Sequence, residues 1–137
     1  MIKKKIVPRG IRNNNPLNIR IGNTWLGEVN DPTDSEFEQF CSMEYGCRAA
    51  FCILRRYIKR YKLNNISLII SRWAPKNENA TQAYIDNVCN LMECTPVTTI
   101  IEYENVDLMC KLVAAMAVVE NGQSIPFEKI KKGYDLA

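Results

Sequence analysis

Apolar positions recur at helical spacing over most of this chain and lose that period only near its start and around residues 94–104. Tyr45, Ala49, Cys52 and Arg56 share one side of a stretch from about Met43 to Lys62, while Ala50, Ile53, Leu54, Tyr57 and Ile58 supply a buried stripe, with Ser42 as N-cap. Ile66 to Trp73 predicts a shorter helix stopped at Ala74-Pro75. Asn79-Ala-Thr-Gln82 reads as a capping box opening a helix to about Met92. The most apolar stretch runs from Asp107 to Glu120, capped by Asn105 and stopped at Asn121-Gly122, with Lys111 the one charge in between. A helix apolar on nearly every side belongs in the middle of a domain. Ser124 to Lys132 predicts a last short helix with Pro126 in its first turn.

Before residue 42 the pattern is different. Arg9 to Arg20 is dense in turn formers, and Asn18–Ile21, Gly22-Asn23 and Thr24–Gly27 read as a small hairpin or paired extended segments. Glu28 to Glu36 is an acidic loop and Phe37–Phe40 a short extended piece that closes a minor β element. Val97–Ile101 has strand propensity but no evident partner. The expected fold is α+β, mainly α-helical: a basic tail over residues 1–9, then one domain over 10–137 with a β-hairpin flap.

Composition narrows the function. With 137 residues and 47% hydrophobic content, one domain with a true core is expected. No apolar run approaches the roughly 20 residues of a membrane span, so no membrane insertion is expected. The Met1–Pro8 start is basic but lacks the apolar segment of a signal peptide. The basic residues cluster at Lys3–Lys5 and on the long helix, at Arg48, Arg55, Arg56, Lys59, Arg60 and Lys62; such a face can suit an anionic polymer, nucleic acid or cell-wall glycan, but reads as the solvated side of a helix, and nucleic acid is not the expected partner. Six cysteines without a CxxC pair read as reduced core residues. Histidine is absent, which removes Ser-His and Cys-His nucleophile pairs and His-containing zinc sites. No metal and no cofactor is expected, and acid–base chemistry falls to carboxylates with tyrosine or lysine as helpers.

Glu120 is then the conspicuous carboxylate. In the last turn it faces the negative end of the helix dipole, and its apolar neighbours desolvate it. Both effects oppose ionisation, as suits an acid that must hold and then donate a proton. The plain alternative is that Glu120 projects into water where the helix surfaces.

Gly10–Arg20, Trp25-Leu-Gly27, Phe37–Ala50, Arg72–Pro75 with Glu78–Thr81 and Tyr84-Ile85, and Ala114–Gly122 together resemble a family of phage and prophage proteins described as virion structural proteins or lysozyme-like endolysins. The chain also resembles bacterial N-acetylglucosaminidase and lytic transglycosylase domains, in rotated order: their Glu-Ser-Gly-like helix end corresponds to Glu120-Asn-Gly122, here last, and their Asn-Asn-Leu-Phe-Gly-Ile-Lys-like segment to Asn14–Arg20, here first. The resemblance implies a circularly permuted lysozyme-like fold, a peptidoglycan substrate and Glu120 as catalytic acid. Asn121 departs from the serine of those domains.

Around that acid the expected catalytic group adds Glu28 and Tyr84. Glu28 is one of five candidates for a second carboxylate, with Asp31, Asp34, Glu36 and Glu44. Asn14, Asn15 and Asn18, Trp25, Tyr45 and Trp73 are the expected substrate-binding residues. Each has a plainer role open to it: turn caps for the asparagines, core packing for the tryptophans, wet helix positions for the tyrosines, a first-turn charge for Glu44. Hydrolysis and transglycosylation both remain open, as does a non-catalytic virion structural or wall-binding protein on the same fold. The expected location is the host bacterial cytoplasm before release, or the virion, where other virion proteins are possible partners.

Overall fold

A computed structural model describes residues 6–74 and 77–137. The Lys3–Lys5 cluster and Pro75, the expected stop of the third helix, lie outside the described residues. Among the described residues there are six helices: α1 Arg9–Arg12, α2 Met43–Lys59, α3 Ile66–Trp73, α4 Glu78–Met92, α5 Val106–Asn121 and α6 Phe127–Leu136. The chain is mainly helical, as its periodicity requires.

α5 is the central element. Met109, Cys110, Leu112, Val113, Met116 and Ala117 are fully buried, and the helix packs on α1, α2, α4 and α6. The Asn105 side chain accepts from Leu108 N at 3.2 Å, and Gly122 closes the other end in a left-handed cap. α2 lies along α6, where Phe51 meets Tyr134 edge-on at 5.3 Å. Tyr134 also stacks on Tyr103 at 5.1 Å. Burial pushes the Cys47 thiol in this interface up to about 12, leaving it an inert apolar filler. All six cysteines are free.

Several boundaries differ from expectation. α4 begins at Glu78 because Asn77, not Asn79, is the cap: its side chain accepts from Ala80 N at 2.8 Å. α6 starts at Phe127, directly after Pro126, and runs to Leu136. Arg9, grouped with the tail by its charge, opens α1 behind Pro8, whose extended backbone serves as the cap position. Val97–Ile101 forms no strand; Ile101 is buried and its N–H bonds Asn64 O at 2.7 Å.

The expected hairpin between residues 18–21 and 24–27 is not formed. Instead the 36–41 segment lies between the two: Arg20 pairs with Phe37 on one side and Glu28 with Phe40 on the other. Ile21 N to Glu36 O and Glu38 N to Ile19 O make the first contact, Val29 N to Gln39 O and Cys41 N to Gly27 O the second. The central position goes to the segment whose Phe40 is driven into the core, 2% exposed.

The loop before this β region is pinned against α2. Gly46 lies so close to Asn14 that an added Cβ would overlap the Asn14 carbonyl oxygen. Gly46→Ala is therefore expected to lower unfolding free energy by about 3 kcal/mol in urea titration, the upper end of overpacking costs, because the obstacle is backbone. Gly22→Ala, with open space at its Cβ, is the control and should lie within about 0.5 kcal/mol of the parent.

Candidate active site

Glu120 sits half-buried in the last turn of α5. Asn18 Nδ2 donates to its Oε1 at 2.9 Å, and the Tyr84 hydroxyl donates to its Oε2 at 2.9 Å. Asn18 comes from a turn closed by Asn18 N to Asn15 O at 3.1 Å and adopts a left-handed backbone, φ 52°, which asparagine tolerates better than most residues. Tyr84 projects from α4 and is buried. Burial first, then the adjacent Glu120 charge, raises its phenol far above the ordinary range. The phenol therefore keeps its proton across the working pH range.

A cavity of about 570 Å³ opens beside Glu120. Leu17 and Ile19 come from the loop, Arg20 and Phe37 from the β region, Ile53 and Tyr57 from α2, and Trp73 from the end of α3. Tyr57 and Trp73 meet at 6.2 Å between ring centres, inclined by 65°. The Arg20 guanidinium lies 4.8 Å over the Phe37 ring. The cavity is thus aromatic on two sides, with one carboxylate and one cation.

Three expected residues come together as one polar cluster, Glu120, Asn18 and Tyr84, and Trp73 lines the same cavity. Others are placed elsewhere. Asn15 is fully buried and satisfies backbone, giving Nδ2 to Ile19 O and Glu38 O and receiving Ile19 N. Asn14 gives Nδ2 to Phe40 O at 3.1 Å. These asparagines build the loop that presents Asn18. Tyr45 packs its ring against Gly27 beneath the β region, and Trp25 is half-buried against the core. Ile53, Tyr57, Arg20 and Phe37 were not expected in the cavity. Ile53 and Tyr57 share one face of α2 at a spacing of one turn, a signal that core and cavity wall give equally.

Nor do the five candidate carboxylates gather at Glu120. Glu28 shares the inward face with Phe40, opposite the face of Arg20 and Phe37, and accepts from Trp25 N at 2.8 Å. Its carboxyl neighbour is Glu38, 7% exposed, whose Oε2 is enclosed without a donor. Burial, then a hydrogen bond and charge from Glu28, raise the Glu38 carboxyl to about 7. Asp34 forms a bidentate pair with Arg9, 2.7 Å for each bond, and receives Asn13 Nδ2 at 2.9 Å. Those bonds, Arg9's the strongest, hold its carboxyl well below the usual range. Glu36 lies within 3.7 Å of both Arg9 and Arg20. Asp31 is exposed in the loop and Glu44 stands in the first turn of α2.

No protein-family model matches this chain. It is 39% identical over 132 residues to Protein P5 of Pseudoalteromonas phage PM2, across 93% of this chain and 80% of P5. This chain belongs to the family of PM2 Protein P5. The family link is to a phage protein, in agreement with the phage resemblance of the motifs. Among the described residues no helix is long and apolar enough to cross a membrane.

The two carboxyl clusters make opposite demands on pH. Asp34 contributes stability above its unfolded value of about 4 and loses it as pH falls. Asp34→Asn should therefore lower Tm at neutral pH, with the gap to the parent closing below about pH 4. Glu38 keeps in the folded state a proton that the unfolded chain releases near pH 4, so its contribution is full below about 4 and is lost as pH rises through about 7. Glu38→Gln should remove the fall in Tm that the parent shows across that interval, measured by thermal melts in matched buffers.

Proposed function

We propose that this protein is a peptidoglycan-cleaving glycosidase of the lysozyme-like type, circularly permuted, with Glu120 as the general acid on the glycan β-1,4 bond. The observation that carries the reading is the Asn18–Glu120–Tyr84 cluster beside an aromatic-walled cavity. Cleavage requires protonation of the leaving oxygen and stabilisation of positive charge developing on the sugar ring. A general acid must be held in both of its protonation states. Asn18 Nδ2 can only donate, which fixes Oε1 as an acceptor. The Tyr84 hydroxyl donates to an ionised Oε2 and, on rotating, accepts from a protonated one, so Oε2 is the oxygen suited to carry the proton. Trp73 and Tyr57 offer ring faces of the kind that stack on sugars.

Among the described residues Glu120 is the one carboxylate lining the cavity. Lytic transglycosylation suits this arrangement, since the substrate's own hydroxyl attacks and a 1,6-anhydro end results. Hydrolysis by inversion would need a second carboxylate to activate water, and Glu28 is engaged with Glu38. Because the relative is a phage protein, we place this activity in a phage: in the host cytoplasm before release, or in the virion with other virion proteins as partners.

Purified peptidoglycan should release muropeptides with anhydro ends when digested by the wild type, read by mass spectrometry. Glu120→Gln should lower the rate at least about a hundredfold while the protein stays folded. Tyr84→Phe, which removes the switching hydroxyl, should lower it about tenfold. Reducing ends in place of anhydro ends would make the enzyme a hydrolase. A wild type that binds sacculi and releases nothing would leave a non-catalytic virion or wall-binding protein.

A further inference from the structure

Asn121 stands next to the acid, yet its side chain does not enter the cavity. It is 9% exposed and its amide bridges two segments far apart in sequence. Nδ2 donates to Pro16 O at 2.8 Å, in the turn that carries Asn18, and to Ala117 O at 2.9 Å, one turn back in α5. Glu120, the preceding residue, receives Nδ2 of Asn18. Two amide bonds running in opposite directions therefore join the same loop to the same helix end.

Gly10 leaves room for both amide oxygens. Its Cα faces Asn121 Oδ1 and Asn18 Oδ1, and a Cβ added there would overlap the first and lie 3.1 Å from the second. Both oxygens are buried without an N–H or O–H partner. Flipping Asn121 would set its oxygen against the Pro16 carbonyl, and flipping Asn18 would set its oxygen against the Glu120 carboxylate; both arrangements are repulsive. The orientation that remains gives one N–H to the loop and one to the acid.

We propose that Asn121, seated on Gly10, is a positioning residue that holds the Pro16–Asn18 turn so that Asn18 Nδ2 stays on Glu120 Oε1. Its kinetic consequence rests on the glycosidase reading, but the hydrogen-bond geometry does not. Asn121→Ser is the informative substitution. A serine in the last turn can still bond the Ala117 carbonyl, so the helix end survives while the link to Pro16 is lost.

The first readout is the Asn18 side-chain amide in a ¹⁵N-correlated NMR spectrum. In the wild type one Nδ2 proton is expected downfield through its bond to the carboxylate, and Glu120→Gln should reduce that displacement. Asn121→Ser and Gly10→Ala should each return it to the ordinary position. The second readout is kinetic: Asn121→Ser should lower kcat about tenfold or more with KM within about twofold, and should add nothing in an Asn18→Ala background. Folded Asn121→Ser with an undisturbed Asn18 resonance and wild-type kcat would overturn the proposal. Should both variants unfold, hydrogen exchange in the wild type decides: matched protection of the Asn18 and Asn121 amide protons supports the link, and a protected Asn18 beside a freely exchanging Asn121 refutes it. A wild type without lytic activity would end the glycosidase reading and leave the NMR and exchange results to judge the positioning role.

Discussion

Buried backbone with neither helix nor sheet to satisfy it must find hydrogen bonds elsewhere, and residues 13–18 meet this constraint with asparagine side chains. Asn15 alone bonds Ile19 twice, through its N–H and its carbonyl, and reaches Glu38. Asn14 secures Phe40, and Asn121, at the end of α5, secures Pro16. The loop is consequently tied at several backbone positions to the β region, α2 and α5. It seats the β region on one side, accepts Gly46 of α2 at its backbone, and presents Asn18 to the end of α5.

Much of the helical frame was legible because long apolar periods leave few alternatives: α3, α5 and the body of α2 follow the pattern closely. What the pattern could not decide was pairing. Asn18–Ile21 and Thr24–Gly27 are neighbours along the chain and share strand character, yet Ile19–Ile21 and Gly27–Val29 each pair with the 36–41 segment, because burying Phe40 outweighs the convenience of a tight turn. The shift from Asn79 to Asn77 as the α4 cap has a similar origin: both residues carry the right side chain, and only the backbone geometry distinguishes them.

The site was legible in part and for a specific reason. Glu120 violates the rules of its own helix, and such a violation is visible without coordinates. Glu38 was not singled out, although the alternation Phe37-Glu38-Gln39-Phe40, once Phe40 is known to point inward, puts Glu38 inward as well. Missing it left Glu28 looking like a free carboxylate. With Glu38 in place, Glu28 faces a buried carboxyl under the β region, and the acidic loop divides into groups that hold the fold together and groups left in solvent.

Asn18 and Glu120 are separated by 102 positions. No local stretch of this protein, and no partly made chain lacking α5, contains the polar cluster. Contacts of such long sequence separation form late and only when the surrounding topology is correct. The hydrogen bonds that hold Glu120 therefore exist only in chains that have folded far enough to bring the end of α5 onto the Asn13–Asn18 loop.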